Sequence, residues 1–87
     1  MTDLTPLAAL GPRNMHVQLY REHLVRRMQN ERAHAEHLRR IAATPVFDSE
    51  RVKLLATADL HETVSRIYGD ALLAFDDAVD AAGARQS

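Results

Sequence analysis

The chain has 87 residues, of which 46% are hydrophobic and 26% charged, with a formal net charge of −1 and no cysteine. That length holds one domain at most, with a core near the size at which a partner subunit is commonly needed. The lack of cysteine excludes disulfides, thiolate metal sites and a cysteine nucleophile, while the lack of a long apolar run or a basic-then-apolar leader leads us to expect a cytoplasmic address.

Residues 1–12 contain Thr5-Pro6-Leu7-Ala8-Ala9-Leu10-Gly11-Pro12. Thr5 suits a helix cap, Pro6 the first helical position, and Gly11 with Pro12 a stop. A short helical segment is predicted here, with Leu4, Leu7 and Leu10 on its apolar side.

Residues 14–43 predict the first long helix. Val17, Tyr20, Leu24, Met28, Glu31, Ala35, Leu38 and Ala42 recur at steps of three or four, which makes one stripe at helical period. Ile41 extends its edge, and the stripe is bulky at its ends and small or polar around Glu31 and Ala35. Pro45 closes the helix, because the residue before a proline is driven out of the α region. Residues 44–48 form the turn.

Residues 49–82 predict the second helix, with Asp48 as its cap and Phe47 placed to staple onto Val52. Its main stripe is Val52, Ala56, Leu60, Val64, Ile67, Ala71, Ala78 and Ala82, completed by Ala74 or Phe75. A second stripe beside it is Leu54, His61, Tyr68, Leu72, Phe75 and Val79. Over residues 67–79 the apolar arc covers most of the circumference, as expected of a helix buried on more than one side. Gly69 interrupts it at a cost of about 1 kcal/mol relative to alanine, and marks a close helix approach or a kink. Residues 83–87 are expected to form a tail.

This pattern specifies an all-α fold: a single domain, residues 1–87, built as an antiparallel, coiled-coil-like two-helix hairpin with a short N-terminal helical segment. A turn near residue 46 brings Val17 near Phe75, Leu24 near Tyr68, Glu31 near His61 and Leu38 near Leu54. Between residues 13 and 40 lie seven arginines and three acids; between 48 and 80 lie three bases and eight acids. The hairpin therefore sets a basic helix against an acidic one. That acidic neighbour repels phosphate and argues against nucleic-acid binding.

Five histidines invite a metal reading. His16, His23 and His37 share a seven-residue spacing, with Asn30 in the gap. Glu31 and His34 have the Glu-x-x-His spacing that projects a carboxylate and an imidazole from one helical face in di-iron bundles. His61 could join them from the second helix. A carboxylate-bridged site needs several inward acids, however, and only Glu31 is near the stripe centre. The reading adopted is a half-buried polar layer with Glu31 paired to His61 and no metal; Glu31, His34 and His61 remain the metal candidates. No cofactor is expected. Ser49 and Ser65 lack the strained turn that exposes a nucleophile, and Gly11, Gly69 and Gly83 are too isolated to form a phosphate loop. No enzyme is expected.

One face of each helix is all that a lone hairpin covers. The aromatic stripe Tyr68, Leu72, Phe75 and Val79, with Val17 and Leu24, is therefore the predicted partner-binding surface. The opening Met1-Thr2-Asp3-Leu4-Thr5-Pro6-Leu7, the polar first helix, Lys53-Leu54-Leu55-Ala56 and Val64-Ser65-Arg66-Ile67-Tyr68 together resemble the small co-chaperones of type III secretion needle subunits (the YscE/SsaE/EscE-like family). The resemblance implies a cytoplasmic, non-catalytic hairpin that binds a helical-repeat chaperone and holds the needle subunit soluble before export. It also implies that Tyr68, Leu72 and Phe75, with Val17 and Leu24, face that partner. The expected function is thus a protein-binding adaptor without small-molecule substrate, nucleic acid or membrane span. The alternatives are a structural homodimer that forms a four-helix bundle and a metal-binding hairpin.

Overall fold

Asn14 caps the first helix. Its extended backbone (φ −69°, ψ 131°) turns the side-chain Oδ1 onto the amides of His16 and Val17, at 2.9 and 3.2 Å. Two otherwise orphaned N–H groups are satisfied in this way, which is the reason asparagine starts helices well. The computed structural model describes residues 14–86. Helix α1 (Met15–Ala42) and helix α2 (Asp48–Gln86) run antiparallel and pack along their lengths. The predicted segment around Leu4, Leu7 and Leu10 lies outside the described residues.

Helix α1 ends as predicted. The Ala43 amide reaches the carbonyls of Arg39 and Arg40, and the Thr44 hydroxyl closes on the Ile41 carbonyl at 2.6 Å. Arg51 then ties the turn together. Its Nε donates to the Ala42 carbonyl at 2.9 Å, and its Nη1 pairs with Asp48 at 3.0 Å. A cation on the last carbonyls of α1 also opposes the negative end of that helix dipole. The predicted staple of Phe47 on Val52 does not form: the two remain 77% and 67% exposed. Arg51 holds the turn from the inside, and no apolar clasp is needed.

The far end of α2 also differs from expectation. Gly83 does not stop the helix, which continues to Gln86. A terminating glycine acts by adopting positive φ, and neither Gly69 nor Gly83 does so. No proline follows to force a stop.

Buried along the helix pair are Val17, Leu24, Ala35 and Ala42 from α1, and Ala58, Ser65, Val79 and Ala82 from α2. Small residues dominate, with Ala58 at 0% and Ala35 at 1% exposure, so the two backbones approach closely in the middle. No large side chain among the described residues is fully buried. Among the described residues the interior is a seam two helices wide, with no closed core. Opposite charges brace its edges: Arg21 with Asp76 at 3.0 Å, and Arg39 with both Asp59 at 3.0 Å and Glu62 at 2.6 Å. Hydrogen bonds to Glu62 and then Asp59 hold the Arg39 guanidinium above its ordinary pKa. Solvated pairs of this kind contribute little singly, but all of them favour the same antiparallel register.

Candidate functional site

Which face of α2 meets α1 is the main departure from the sequence reading. Val64, Gly69, Asp76 and Gly83 are half-buried flanking positions; the buried or half-buried line that they flank is Arg51, Leu54, Ala58, His61, Ser65, Tyr68, Leu72, Phe75, Val79 and Ala82. Their steps alternate three and four without a break, which is the rhythm that keeps one seam facing a partner along a supercoiled pair. The stripe that begins Val52, Ala56, Leu60, Val64 opens with three steps of four and then keeps the same three-four rhythm through Ile67, Ala71, Ala74 and Ala78. Although it is the more aliphatic of the two, it faces away from the seam.

The residues predicted to face a partner are accordingly those that join the two helices. Val17, Leu24 and Val79 are buried at 7%, 5% and 5% exposure, and Tyr68, Leu72 and Phe75 are half-buried beside them. These six residues therefore lie in the seam between the helices, on the stripe that the turn position had set against α1 by pairing Leu24 with Tyr68 and Glu31 with His61. Tyr20, expected on the inner stripe, stays 51% exposed at its edge, with its ring 4.9 Å from that of Phe75. Seven residues on, Arg27 lies 5.4 Å over the Tyr68 ring, and its Nε donates to the Tyr68 hydroxyl at 3.3 Å. That hydrogen bond is the main cause raising the Arg27 pKa. A further seven residues on, His34 stacks on His61 at 4.4 Å with an 11° tilt. One edge of the hairpin is thus a ladder of ring contacts at seven-residue intervals.

Glu31, His34 and His61 do come together. His61 Nδ1 donates to Glu31 Oε2 at 2.5 Å, and Arg27 lies 3.8 Å from the other carboxylate oxygen. Stacked imidazoles present faces to each other, so their nitrogens do not converge on one point. Among the described residues no group of three or more His, Asp or Glu side chains could hold a metal ion. The paired reading of Glu31 with His61 is the geometry observed.

Ser65 is likewise committed to the fold. It is 4% exposed, and its hydroxyl donates across the seam to the Met28 carbonyl at 2.9 Å. Sequence reasoning passed over this residue, along with Ala58 and Arg51; the unbroken three-four rhythm was the signal that would have found them. A groove of about 630 Å³ runs between the helices past Met28, Arg39, Ser65 and Gly69. It is shallow, and its rim mixes arginines with acids, so it offers neither a converging set of like charges nor a water-excluded cleft.

The stripe displaced from the seam is the candidate site. Val52, Leu60 and Ile67 are 67%, 61% and 59% exposed, and Ala56, Ala71, Ala74 and Ala78 continue the same face in the open. Val64 lies half-buried at its inner border, and Leu73 at 65% exposure lies beyond its outer one. Single exposed apolar residues are ordinary, but a line of them along one helix face marks a docking surface. On α1 the exposed large apolar residues, Met15, Leu19 and Tyr20, gather near its start. No helix among the described residues is long and apolar enough to cross a membrane.

Fold and surface define the class: an all-α antiparallel helical hairpin with an unpaired apolar face on its second helix. Compared with protein-family models, curated proteins and solved structures, the chain matches none of them.

Proposed function

We propose that this protein is a non-catalytic, protein-binding hairpin that docks the outer face of α2 on a helical protein surface. The observation that carries the reading is the exposed line Val52, Leu60 and Ile67 with its alanine continuation. Burying an aliphatic side chain of that size contributes about 1.5–3 kcal/mol, and a few such anchors at helical spacing suffice for specific helix-on-helix recognition. The similarity to needle-subunit co-chaperones gives the reading a concrete form, in which the hairpin acts in the cytoplasm with a helical-repeat chaperone to keep a secreted subunit soluble. The docking positions then lie one face around from Tyr68 and Phe75, which bind α1.

Affinity capture from the native host tests the reading, with the full chain and a Leu60→Asp/Ile67→Asp variant as baits. Each captured protein is then purified and titrated against both by calorimetry. At least tenfold weaker binding to the variant, with an unchanged helical spectrum, supports the reading. Equal binding to both overturns it.

A further inference from the structure

Resting on the reading of the outer face of α2 as a docking surface, we infer that in the free protein this face pairs with a second copy of itself. The two α2 helices run antiparallel about a two-fold axis near Tyr68, and the product is a four-helix bundle.

Two independent features of the face point to that occupant. The first is its gradient of side-chain size. The N-terminal half carries Val52, Ala56, Leu60, Val64 and Ile67; the C-terminal half carries only alanines, Ala71, Ala74, Ala78 and Ala81. Parallel pairing would set bulk on bulk and leave alanine facing alanine across a gap. Antiparallel pairing about position 68 places Leu60 of one copy between Ala74 and Ala78 of the other, and Ile67 beside Ile67 and Ala71. Leu60 then enters a notch between two alanines, as knob-in-hole packing requires, and large meets large only where Ile67 lies beside its own copy near the axis.

The second feature is charge on the border of the face. Arg66 and Asp70 lie on the same border, one helical turn apart, and neither makes an ion pair among the described residues, whereas Asp59 on that border pairs with Arg39. Antiparallel helices bring like borders together. The axis that fits large against small also sets each Arg66 opposite the other copy's Asp70. A two-fold contact demands such self-complementarity, in which residue i meets j and j meets i. The remaining acid on that border, Asp77, comes opposite Asp59, whose charge Arg39 already offsets.

Sedimentation equilibrium of the full chain over a concentration series tests the pairing. The wild type is expected at twice the 9.8 kDa chain mass. Ile67→Asp, at a position 59% exposed in the hairpin, should give a monomer with unchanged helical circular dichroism. Arg66→Asp should weaken the dimer roughly tenfold, and Arg66→Asp combined with Asp70→Arg should restore it, because the swapped charges meet again. A monomeric wild type at about 0.5 mM (a weaker affinity than a specific dimer has) overturns the inference, as does a dimer that survives Ile67→Asp. Failure of the double swap to recover affinity overturns the two-fold register. If the wild type is monomeric while Leu60→Asp/Ile67→Asp still loses a foreign protein, self-pairing fails and the docking reading stands. If neither substitution changes any association, the docking reading itself fails.

Discussion

His61 of α2 donates its Nδ1 hydrogen to the carboxylate of Glu31 on α1, 2.5 Å away, at the middle of the hairpin seam. Both side chains are mostly covered, at 26% and 17% exposure, and the His34 ring closes the other face of His61. Polar groups this far from bulk water cost stability unless paired. Glu31→Ala is therefore expected to destabilise the hairpin by about 1–2 kcal/mol, since it leaves His61 half-buried without its acceptor. Replacing both partners by leucine should be neutral or stabilising, because the seam then loses its desolvated polar pair altogether. Urea unfolding of the singles and the double checks the cycle; a double variant less stable than either single would contradict it.

The two faces of α2 should answer differently to the same kind of substitution. Leu24→Ala removes a side chain that is 5% exposed and should cost about 2–4 kcal/mol, a large share of a small domain's stability. Phe75→Asp, which removes the ring tilted against that of Tyr20, should also lower the unfolding midpoint. Leu60→Asp, at a position 61% exposed, should leave the unfolding of the isolated hairpin within about 0.5 kcal/mol of wild type. Chemical denaturation below the association threshold separates these outcomes.

Gly69→Ala should stabilise the protein by about 0.5–1 kcal/mol. Gly69 has no positive φ, and a Cβ built on it would meet Met28 Sδ at 3.4 Å, an ordinary contact with the movable end of a flexible side chain. The predicted close approach is present, but it is loose enough to accept a methyl group. A lower melting temperature for Gly69→Ala would show that Met28 cannot move.

At the turn, Arg51→Ala should cost on the order of 1 kcal/mol through loss of its bonds to the Ala42 carbonyl and Asp48, whereas Phe47→Ala should be nearly silent. Thermal unfolding of the two variants side by side distinguishes a turn held by the guanidinium from one held by an apolar staple.

Much of the architecture was legible in local chemistry. Pro45 marks the break between the helices, and the three-or-four spacing from Val17 to Ala42 marks the face of α1 that is buried; Asp48, expected as the cap of the second helix, is its first residue and pairs with Arg51 instead. The pairing of Glu31 with His61 followed from the position of the turn alone. That same turn position set Leu54, His61, Tyr68 and Phe75 against α1, whereas apolar content alone favours the other stripe, because the apolar arc of α2 is wide enough for two.

By itself the sequence determined two helices, their antiparallel order, the basic-against-acidic edges and an excess of apolar surface over what one helix pair can cover. These follow from periodicity and capping, which act within a few residues. Only the tertiary structure decided which stripe of α2 enters the seam. That choice depends on keeping a three-four rhythm in register with α1 over many turns, on small residues such as Ala58 and Ser65 letting the backbones close, and on polar groups such as Glu31 finding partners across the gap. None of these conditions belongs to either helix alone, and together they leave Val52, Leu60 and Ile67 facing outward.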